Sequence, residues 1–213
     1  MSEPLLPAPA YARQRLSTEA VERLTEFGRK LATDGVLRGL IGPREVPRLW
    51  DRHLLNCAAM SEAIAPKSFV ADIGTGAGLP GLVLALIRPD LRLCLVDTLQ
   101  RRCDFLNEMV HDFSLTPQVN VVWGRAEETP SCEADIVTAR AVANLGKLAP
   151  WCLPHVRVGG QLLVMKGQKA AEELSAARKV LRRWGADKDA RLITCGAGWI
   201  DPAITLVAAT RTR

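Results

Sequence analysis

The chain has 213 residues, of which 48% are hydrophobic and 24% are charged, and its formal net charge is +5. This composition is close to that of ordinary globular proteins, so it excludes an intrinsically disordered or fibrous chain. The length suffices for one well-buried domain with an addition, but not for two independent cores. We therefore predict a helical N-terminal extension over residues 1–66 and one main domain over residues 67–213.

The N-terminus and the apolar runs predict where the protein resides. Residues 1–11 contain Glu3 and three prolines, where a secretory signal needs a basic start and an unbroken apolar stretch. No apolar run approaches membrane-spanning length. None of the six cysteines falls in a Cys-x-x-Cys pair, which favours reduced thiols and disfavours a metal site. We expect a cytoplasmic protein with no membrane partner and no bound metal.

The extension is predicted to contain two helices. A Ser-Thr pair begins a run with apolar residues at helical spacing, which predicts a capped amphipathic helix over residues 17–33. A second helical stretch follows Pro47 and is closed by Pro66. Both helices precede the first clear strand, so we expect them to lie against the main domain.

From Ser68 onward, short β-rich runs alternate with helical runs. This alternation predicts a mostly parallel sheet that is covered by helices on both faces. Only a short glycine-containing link joins the last two strands, which predicts an antiparallel hairpin at the end of a seven-stranded α/β sheet. The predicted elements are strand 69–73, helix 79–88, strand 91–96, helix 98–112, strand 119–123, strand 135–139, helix 144–153, strand 161–165, helix 169–184, and strands 191–195 and 203–210.

A glycine-rich loop joins the first strand to its helix, at the edge of the sheet where ligands bind. The segment from Gly76 formally satisfies the dinucleotide pattern G-x-G-x-x-G, but counted from Gly74 at the strand end, the third glycine is replaced by Leu79. The alternating form of Asp72, Gly74, Gly76 and Gly78 instead resembles the first motif of S-adenosylmethionine methyltransferases. Five parallel strands closed by a hairpin also look like the Rossmann-like sheet of class I methyltransferases. We expect S-adenosyl-L-methionine as the cofactor, in contact with these three glycines.

The ends of the next three strands indicate which residues contact the cofactor and which kind of atom accepts the methyl group. Asp97 ends the second strand, where it can accept hydrogen bonds from ribose hydroxyls; capping of the helix that starts at Thr98 is the alternative. Residues 124–128 place polar groups where an adenine edge reaches. The fourth strand lacks the Asn/Asp-Pro-Pro-aromatic tetrad of amino-group methyltransferases, and Cys132 has no evident base beside it. This pattern favours methylation of an atom with its own lone pair, such as guanine N7, without a catalytic acid, base or nucleophile.

Six segments carry a more specific likeness. They are Arg52-His53-Leu54-Leu55, the run from Asp72 to Gly81, Val96-Asp97-Thr98-Leu99, Gly124-Arg125-Ala126-Glu127-Glu128, Thr138-Ala139-Arg140-Ala141 and Met165-Lys166-Gly167. Together they resemble the bacterial 16S ribosomal RNA guanine-N7 methyltransferase family, RsmG, formerly called GidB. The resemblance implies methyl transfer to guanine N7 in 16S rRNA of the small ribosomal subunit. It also implies that the cofactor contacts Gly74, Leu79, Ala126, Glu127 and Arg140, with Asp97, Thr98 and Leu99 on the ribose side.

Four residues are candidates for contact with RNA. Arg125, Arg140 and Lys166 end strands at the ligand-binding edge of the sheet. His53 lies one helical turn from Trp50 and can face the cleft, although a packed or capping histidine is the alternative. We predict that all four line the RNA-binding side of the site.

Other basic residues and two tryptophans can be interpreted either as RNA contacts or as structural residues. The basic excess is concentrated in the last quarter of the chain, which suits either a polyanion partner or a solvated helix face. For residues 178–183 we favour a solvated basic end that complements the helix dipole. For Trp50 and Trp123 we favour core packing over stacking on a flipped guanine.

We therefore predict a monomeric S-adenosylmethionine-dependent rRNA methyltransferase. Two alternatives stay open. One is an NAD-dependent oxidoreductase, and the other is a non-catalytic RNA-binding or regulatory protein with a vestigial cofactor pocket.

Overall fold

A computed structural model describes residues 5–140 and 143–213 around one central sheet. Its strands are β1 (Phe69–Ile73), β2 (Arg92–Asp97), β3 (Val119–Trp123), β4 (Ala134–Arg140), β5 (Val156–Lys166), β6 (Arg191–Cys195) and β7 (Ile204–Thr210). They are ordered β3-β2-β1-β4-β5-β7-β6. Strands β1 to β5 run parallel, and β7 pairs antiparallel with both β5 and β6. This topology confirms the predicted α/β fold with its terminal hairpin.

Helices cover both faces of the sheet. The α-helices within the described residues are α1 (Ala10–Arg15), α2 (Thr18–Lys30), α3 (Leu55–Met60), α4 (Gly81–Ile87), α5 (Gln100–Asp112), α6 (Leu145–Cys152) and α7 (Ala170–Arg182). Leu84 of α4 and Phe105 of α5 belong to one apolar cluster, whereas Leu148 of α6 and Leu181 of α7 belong to a second. The two clusters lie on opposite faces, as a doubly wound sheet requires. None of the helices within these described ranges is long and apolar enough to cross a membrane.

The first helix predicted for the extension is confirmed as α2, and the Ser17 hydroxyl caps it by accepting the Ala20 amide at 3.2 Å. The second predicted helix is replaced by short, irregular turns. After α2 comes a π-helical turn, Leu31–Gly35, and then a 3-10 helix (Pro43–Arg48), a second π-helical turn (Leu49–Leu54), α3 and a 3-10 turn (Ser61–Ala63). Pro47 has no amide hydrogen, and its ring disfavours an α-helix. The chain before α3 therefore forms a 3-10 helix, which is tighter than an α-helix, and then a π-helical turn, which is wider. The second π-helical turn carries His53 inward, where it is 8% exposed.

The extension and the main domain share one hydrophobic core. Phe27 of α2 and Leu55 of α3 are fully buried in the same cluster as Leu84 of α4. Each such side chain contributes about 1.5–3 kcal/mol by leaving water. The extension is therefore packed firmly against the main domain. The boundary between them at residue 66 stays a prediction.

Two local predictions were wrong. Strand β5 begins at Val156 rather than Gln161, because the chain continues in strand form through Gly160, whose missing Cβ lets the carbonyl oxygen of Asp135 approach closely. A Cβ at Gly160 would stand 2.8 Å from that oxygen. Trp123 does not pack in the core, since its side chain is on the edge strand β3 and the residue is 62% exposed.

Candidate functional site

A cavity of about 530 Å³ opens at the carboxyl ends of β1, β2, β3 and β4. Its size is typical of a site for a small-molecule cofactor. Its walls come from the glycine loop, the ends of β2 and β4, the segment after β3, the extension and α6. The lining residues are Leu40, Ile41, His53, Ile73, Gly74, Thr75, Gly76, Ala77, Leu79, Val96, Asp97, Thr98, Arg102, Gly124, Arg125, Ala126, Glu127, Arg140 and Trp151.

The buried carboxylate of Asp72 holds the glycine loop in place. One oxygen of Asp72 accepts the Gly81 amide at 2.9 Å, and the other accepts the Thr138 hydroxyl at 3.0 Å. Burial raises the pKa of Asp72 to about 6. Gly74 and Gly76 have φ values of 70° and 63°, a left-handed backbone that favours glycine, and they turn the loop along the cavity wall. Asp72 therefore shapes the loop and does not itself line the cavity.

Asp97 presents a buried carboxylate directly beside the glycine loop. The residue is 2% exposed, and its oxygens accept the amides of Gly76 at 2.9 Å and Leu99 at 3.0 Å. A guanidinium nitrogen of Arg102 lies 3.3 Å from it. Helix α5 begins at Gln100, so the bond from the Leu99 amide to Asp97 fixes the turn that precedes the helix. The amides use one lone pair of each oxygen and Arg102 contacts the other at 3.5 and 3.3 Å, so ribose hydroxyls would bind Asp97 in place of the Arg102 contacts.

The segment after β3 closes the cavity on a third side. Ala126 and Glu127 line it, and the Nε2–H of His155 donates to the Ala126 carbonyl at 2.8 Å. The Nδ1 of the same ring accepts the Cys132 amide at 3.3 Å. The sequence-based view that Cys132 has no base beside it is thus wrong, because a histidine 23 residues away is brought next to it.

A chain of three polar side chains joins the extension to the end of β4. Glu45 lies 2.8 Å from Nε2 of His53, and Nδ1 of His53 contacts the guanidinium of Arg140. The carboxylate requires the proton on Nε2, so Nδ1 offers its lone pair to Arg140 and the ring is neutral. Burial and the nearby Arg140 charge lower the pKa of His53, and the hydrogen bond from His53 lowers the pKa of Glu45. Arg140 also donates to the Cys57 sulfur at 3.2 Å.

The cavity brings together most of the residues predicted from the sequence. Ten of the predicted residues line it: Gly74, Gly76, Leu79, Asp97, Thr98, Ala126, Glu127, Arg140, Arg125 and His53. Gly78, Leu99 and Lys166 are not among its lining residues. Ala141, which ends the predicted segment after β4, lies outside the described residues.

The three residues outside the cavity have other contacts. Gly78 has φ 88°, and a Cβ there would stand 2.5 Å from Leu82, so this glycine is needed for helix packing. Leu99 is 40% exposed beyond the cavity rim. The ammonium of Lys166 lies 2.9 Å from a Glu173 oxygen and 2.6 Å from the Ala143 carbonyl. With a side chain only 8% exposed, Lys166 braces α7 rather than facing a ligand.

The basic end of α7 is likewise tied to its own fold. Arg178 donates to the Ala190 carbonyl at 3.1 Å, and Arg182 donates to the Asp187 carboxylate at 3.0 Å. Both hold the link between α7 and β6. The prediction for this segment was a solvated basic end; Arg182 is indeed 70% exposed, and both arginines in addition bind the link that follows the helix.

Several lining residues were not found from the sequence. They are Leu40, Ile41, Ile73, Thr75, Ala77, Val96, Arg102, Gly124 and Trp151. Thr75 and Ala77 lie inside the glycine loop and could have been included with it. Trp151 sits within α6 at a spacing typical of core residues, so no local signal separates it from packing.

Glu45 was also missed, because its partner His53 lies eight residues away across irregular turns.

Comparison with known proteins identifies this arrangement. The family model described as "rRNA small subunit methyltransferase G" (GidB) matches residues 20–193. The chain belongs to the rRNA small subunit methyltransferase G family. This confirms the family that the six sequence segments resemble.

Close relatives span almost the whole chain. The chain is 47% identical to "Ribosomal RNA small subunit methyltransferase G" of Salinispora tropica, over 97% of this chain and 88% of that protein. It is 50% identical to the protein of the same name from Thermobifida fusca, over 96% and 86%. A crystal structure of a SAM-dependent methyltransferase from Aquifex aeolicus has the same fold, with a TM-score of 0.57, 16% identity, and coverage of 82% of this chain and 98% of that one.

Proposed function

We propose that the protein transfers a methyl group from S-adenosyl-L-methionine to guanine N7 in the rRNA of the small ribosomal subunit. The single observation that carries this proposal is the cavity in which the glycine loop and Asp97 face the Arg140, His53 and Glu45 chain. Membership in the rRNA small subunit methyltransferase G family supports the same reaction class.

The cavity fits the cofactor by the chemistry of its walls. Asp97 offers carboxylate oxygens to ribose hydroxyls, and the backbone of Ala126 and Glu127 offers polar groups to an adenine edge. Gly74 and Gly76 let a ligand approach the backbone without a Cβ in the way. When bound, the cofactor supplies an electrophilic methyl group on a positively charged sulfur.

Methylation at N7 makes few demands on the protein's side chains. The N7 lone pair forms the new bond directly, the positive charge passes from sulfur to the purine, and no proton leaves. A general base is therefore unnecessary, and positioning in line with the methyl group does the work. Among the described residues that line the cavity there is no cysteine to serve as a nucleophile, and His53 is already held between Glu45 and Arg140.

Arg140 is suited to hold the guanine. Guanine presents O6 and N7 as acceptors on one edge, and an arginine donates readily to that edge. An arginine donor on O6 fixes the base while leaving N7 free for the methyl group. Two guanidinium nitrogens of Arg140 already contact His53 and Cys57, which fixes the direction of the remaining donors. Arg125, whose side chain is 67% exposed at the rim, is positioned for a phosphate.

The proposal is tested by labelled methyl transfer. Small-subunit particles and naked 16S RNA from cells lacking this protein are incubated with labelled S-adenosyl-L-methionine, and the RNA is digested to nucleosides. We expect label in 7-methylguanosine with the wild-type protein and with the matched control Asp104→Asn, which changes an exposed carboxylate on α5. Asp97→Asn should lower the signal by about tenfold or more when the cofactor is below saturation, because it loses a charged acceptor for the ribose. Label in another nucleoside would overturn the choice of acceptor.

Two other outcomes concern the alternatives. RNA binding without transfer, in a protein that still binds S-adenosylhomocysteine, would indicate a non-catalytic RNA-binding protein. Tight NAD binding without affinity for S-adenosylhomocysteine would indicate an oxidoreductase. Monomeric state and cytoplasmic location are parts of the proposal that sedimentation and cell fractionation test directly.

A further inference from the structure

Two thiols meet behind the cofactor cavity. The sulfur of Cys94, on β2, lies 3.8 Å from the sulfur of Cys132, in the segment between β3 and β4. Cys94 is buried, whereas Cys132 is partly exposed. His155 adjoins Cys132, and its other ring nitrogen binds the carbonyl of the cavity residue Ala126. This cluster plays no part in the proposed methyl transfer.

The surroundings of Cys132 favour its thiolate. The Cys132 and Cys94 sulfurs share a hydrogen bond, and the His155 ring lies beside Cys132. Both contacts lower the pKa of Cys132, against the effect of burial. The hydrogen bond between the sulfurs raises the pKa of Cys94, which keeps its proton. A partly exposed cysteine with a lowered pKa and a second thiol behind it is the arrangement of an oxidisable pair.

We propose that Cys94 and Cys132 are a peroxide-oxidisable dithiol whose disulfide weakens cofactor binding. The Cys132 thiolate attacks one oxygen of hydrogen peroxide, the O–O bond breaks, and the leaving hydroxide takes a proton to become water. The Cys94 sulfur then attacks the resulting sulfenic acid, an S–S bond forms, and a second water leaves with the Cys94 proton. Two thiols lose two electrons in total, and the peroxide gains them.

Formation of the disulfide changes the cofactor site through one intermediate residue, His155. An S–S bond is about 2.05 Å long, so the two sulfurs, now 3.8 Å apart, must approach each other by about 1.8 Å. Cys94 is fixed in the central sheet, between the partner positions Ala71 and Asn120. The segment that carries Cys132 therefore moves instead. His155 is bonded to both Cys132 and Ala126, so the movement displaces a wall of the cavity.

The test measures thiols and cofactor affinity in the full-length protein. Reduced protein is treated with hydrogen peroxide, the disulfide is mapped by peptide mass spectrometry, and S-adenosylhomocysteine binding is measured before and after. We expect a Cys94–Cys132 disulfide, affinity weaker by about tenfold, as for one lost hydrogen bond, and recovery with dithiothreitol. Cys132→Ser and Cys94→Ser should keep the affinity of the reduced protein after peroxide. Cys195→Ala, which removes a buried thiol on β6, should behave as wild type.

Three outcomes would overturn the proposal. One is peroxide-treated wild-type protein in which both thiols stay reduced while the fold is intact by circular dichroism. Another is a disulfide that leaves affinity unchanged. The third is an equal loss of affinity in Cys132→Ser, which would assign the loss to another site. Because the readout is cofactor binding, the result does not depend on guanine N7 being the acceptor.

Discussion

Glu45 gives the sharpest test of how the extension acts on the site. It holds His53, which in turn contacts Arg140, so Glu45 is a positioning residue for the guanidinium rather than a ligand contact. Removing it by Glu45→Ala leaves the Nε2–H of His53, on a side chain only 10% exposed, without its acceptor. The ring then loses its fixed tautomer, and Arg140 loses a fixed direction.

The size of the effect follows from that one bond. A hydrogen bond to a charged group contributes about 1.5–3 kcal/mol, and the 29% exposure of Glu45 favours the lower end. If this energy is used in orienting the base, kcat/KM for RNA falls about tenfold in Glu45→Ala. Glu45→Gln keeps an acceptor oxygen without the charge and should retain most of the activity. The double variant with His53→Ala should be no worse than His53→Ala alone, because both changes break the same chain.

The assay separates positioning from folding. Methyl transfer to small-subunit RNA gives kcat/KM, S-adenosylhomocysteine binding gives the cofactor affinity, and thermal unfolding gives Tm. Glu19→Ala, which removes an 80% exposed carboxylate from α2, is the matched control. Full activity in Glu45→Ala would refute the reasoning. The reasoning would also be refuted if Glu45→Gln lost as much kcat/KM as Glu45→Ala, and if both variants bound the cofactor more weakly and had a lower Tm.

Three further changes test other parts of the site. Asp97→Asn should weaken S-adenosylhomocysteine binding by about tenfold or more in isothermal titration, because a charged ribose acceptor is lost; unchanged affinity would remove Asp97 from the cofactor site. Gly78→Ala should cost about 1–3 kcal/mol in urea unfolding, since it forces a side chain into positive φ against Leu82, and a neutral result would contradict the packing. Burial raises the pKa of Asp72 to about 6 from 3.8, so the folded state holds its proton more tightly than the unfolded state. The stability of wild type relative to Asp72→Asn should therefore fall by about 2 kcal/mol as pH rises from 4 to 7, and a pH-independent difference would show that the pKa of Asp72 is not raised in this way.

The main domain was largely predictable because its signals are local. Strand β1 matches its predicted bounds, and the loop from Asp72 to Gly81 follows from the strand before it and the glycines within it. In a parallel sheet all strand ends meet at one edge, so Asp97, Ala126 and Arg140 were expected together before the fold was known.

The rest depends on contacts between distant residues. Pairing of Glu45 with His53 depends on a 3-10 helix followed by a π-helical turn, which hydrophobic periodicity does not predict. Cys132 precedes β4 and His155 precedes β5, so the pairing of these two strands brings the two residues together. Lys166 has the sequence position of a ligand residue, and only the structure shows that Glu173 already binds it.

The central claim is that guanine N7 accepts the methyl group. The most direct test is methyl transfer to small-subunit RNA transcribed with 7-deazaguanosine, in which a carbon atom replaces N7, compared with the same RNA containing ordinary guanosine. The two RNAs are incubated with the enzyme in the same form, either naked or assembled with ribosomal proteins. The form used is the one in which the ordinary RNA accepts label. The account predicts that the 7-deaza RNA accepts none while still competing for the enzyme. Label on the 7-deaza RNA at the rate of the ordinary RNA would contradict it.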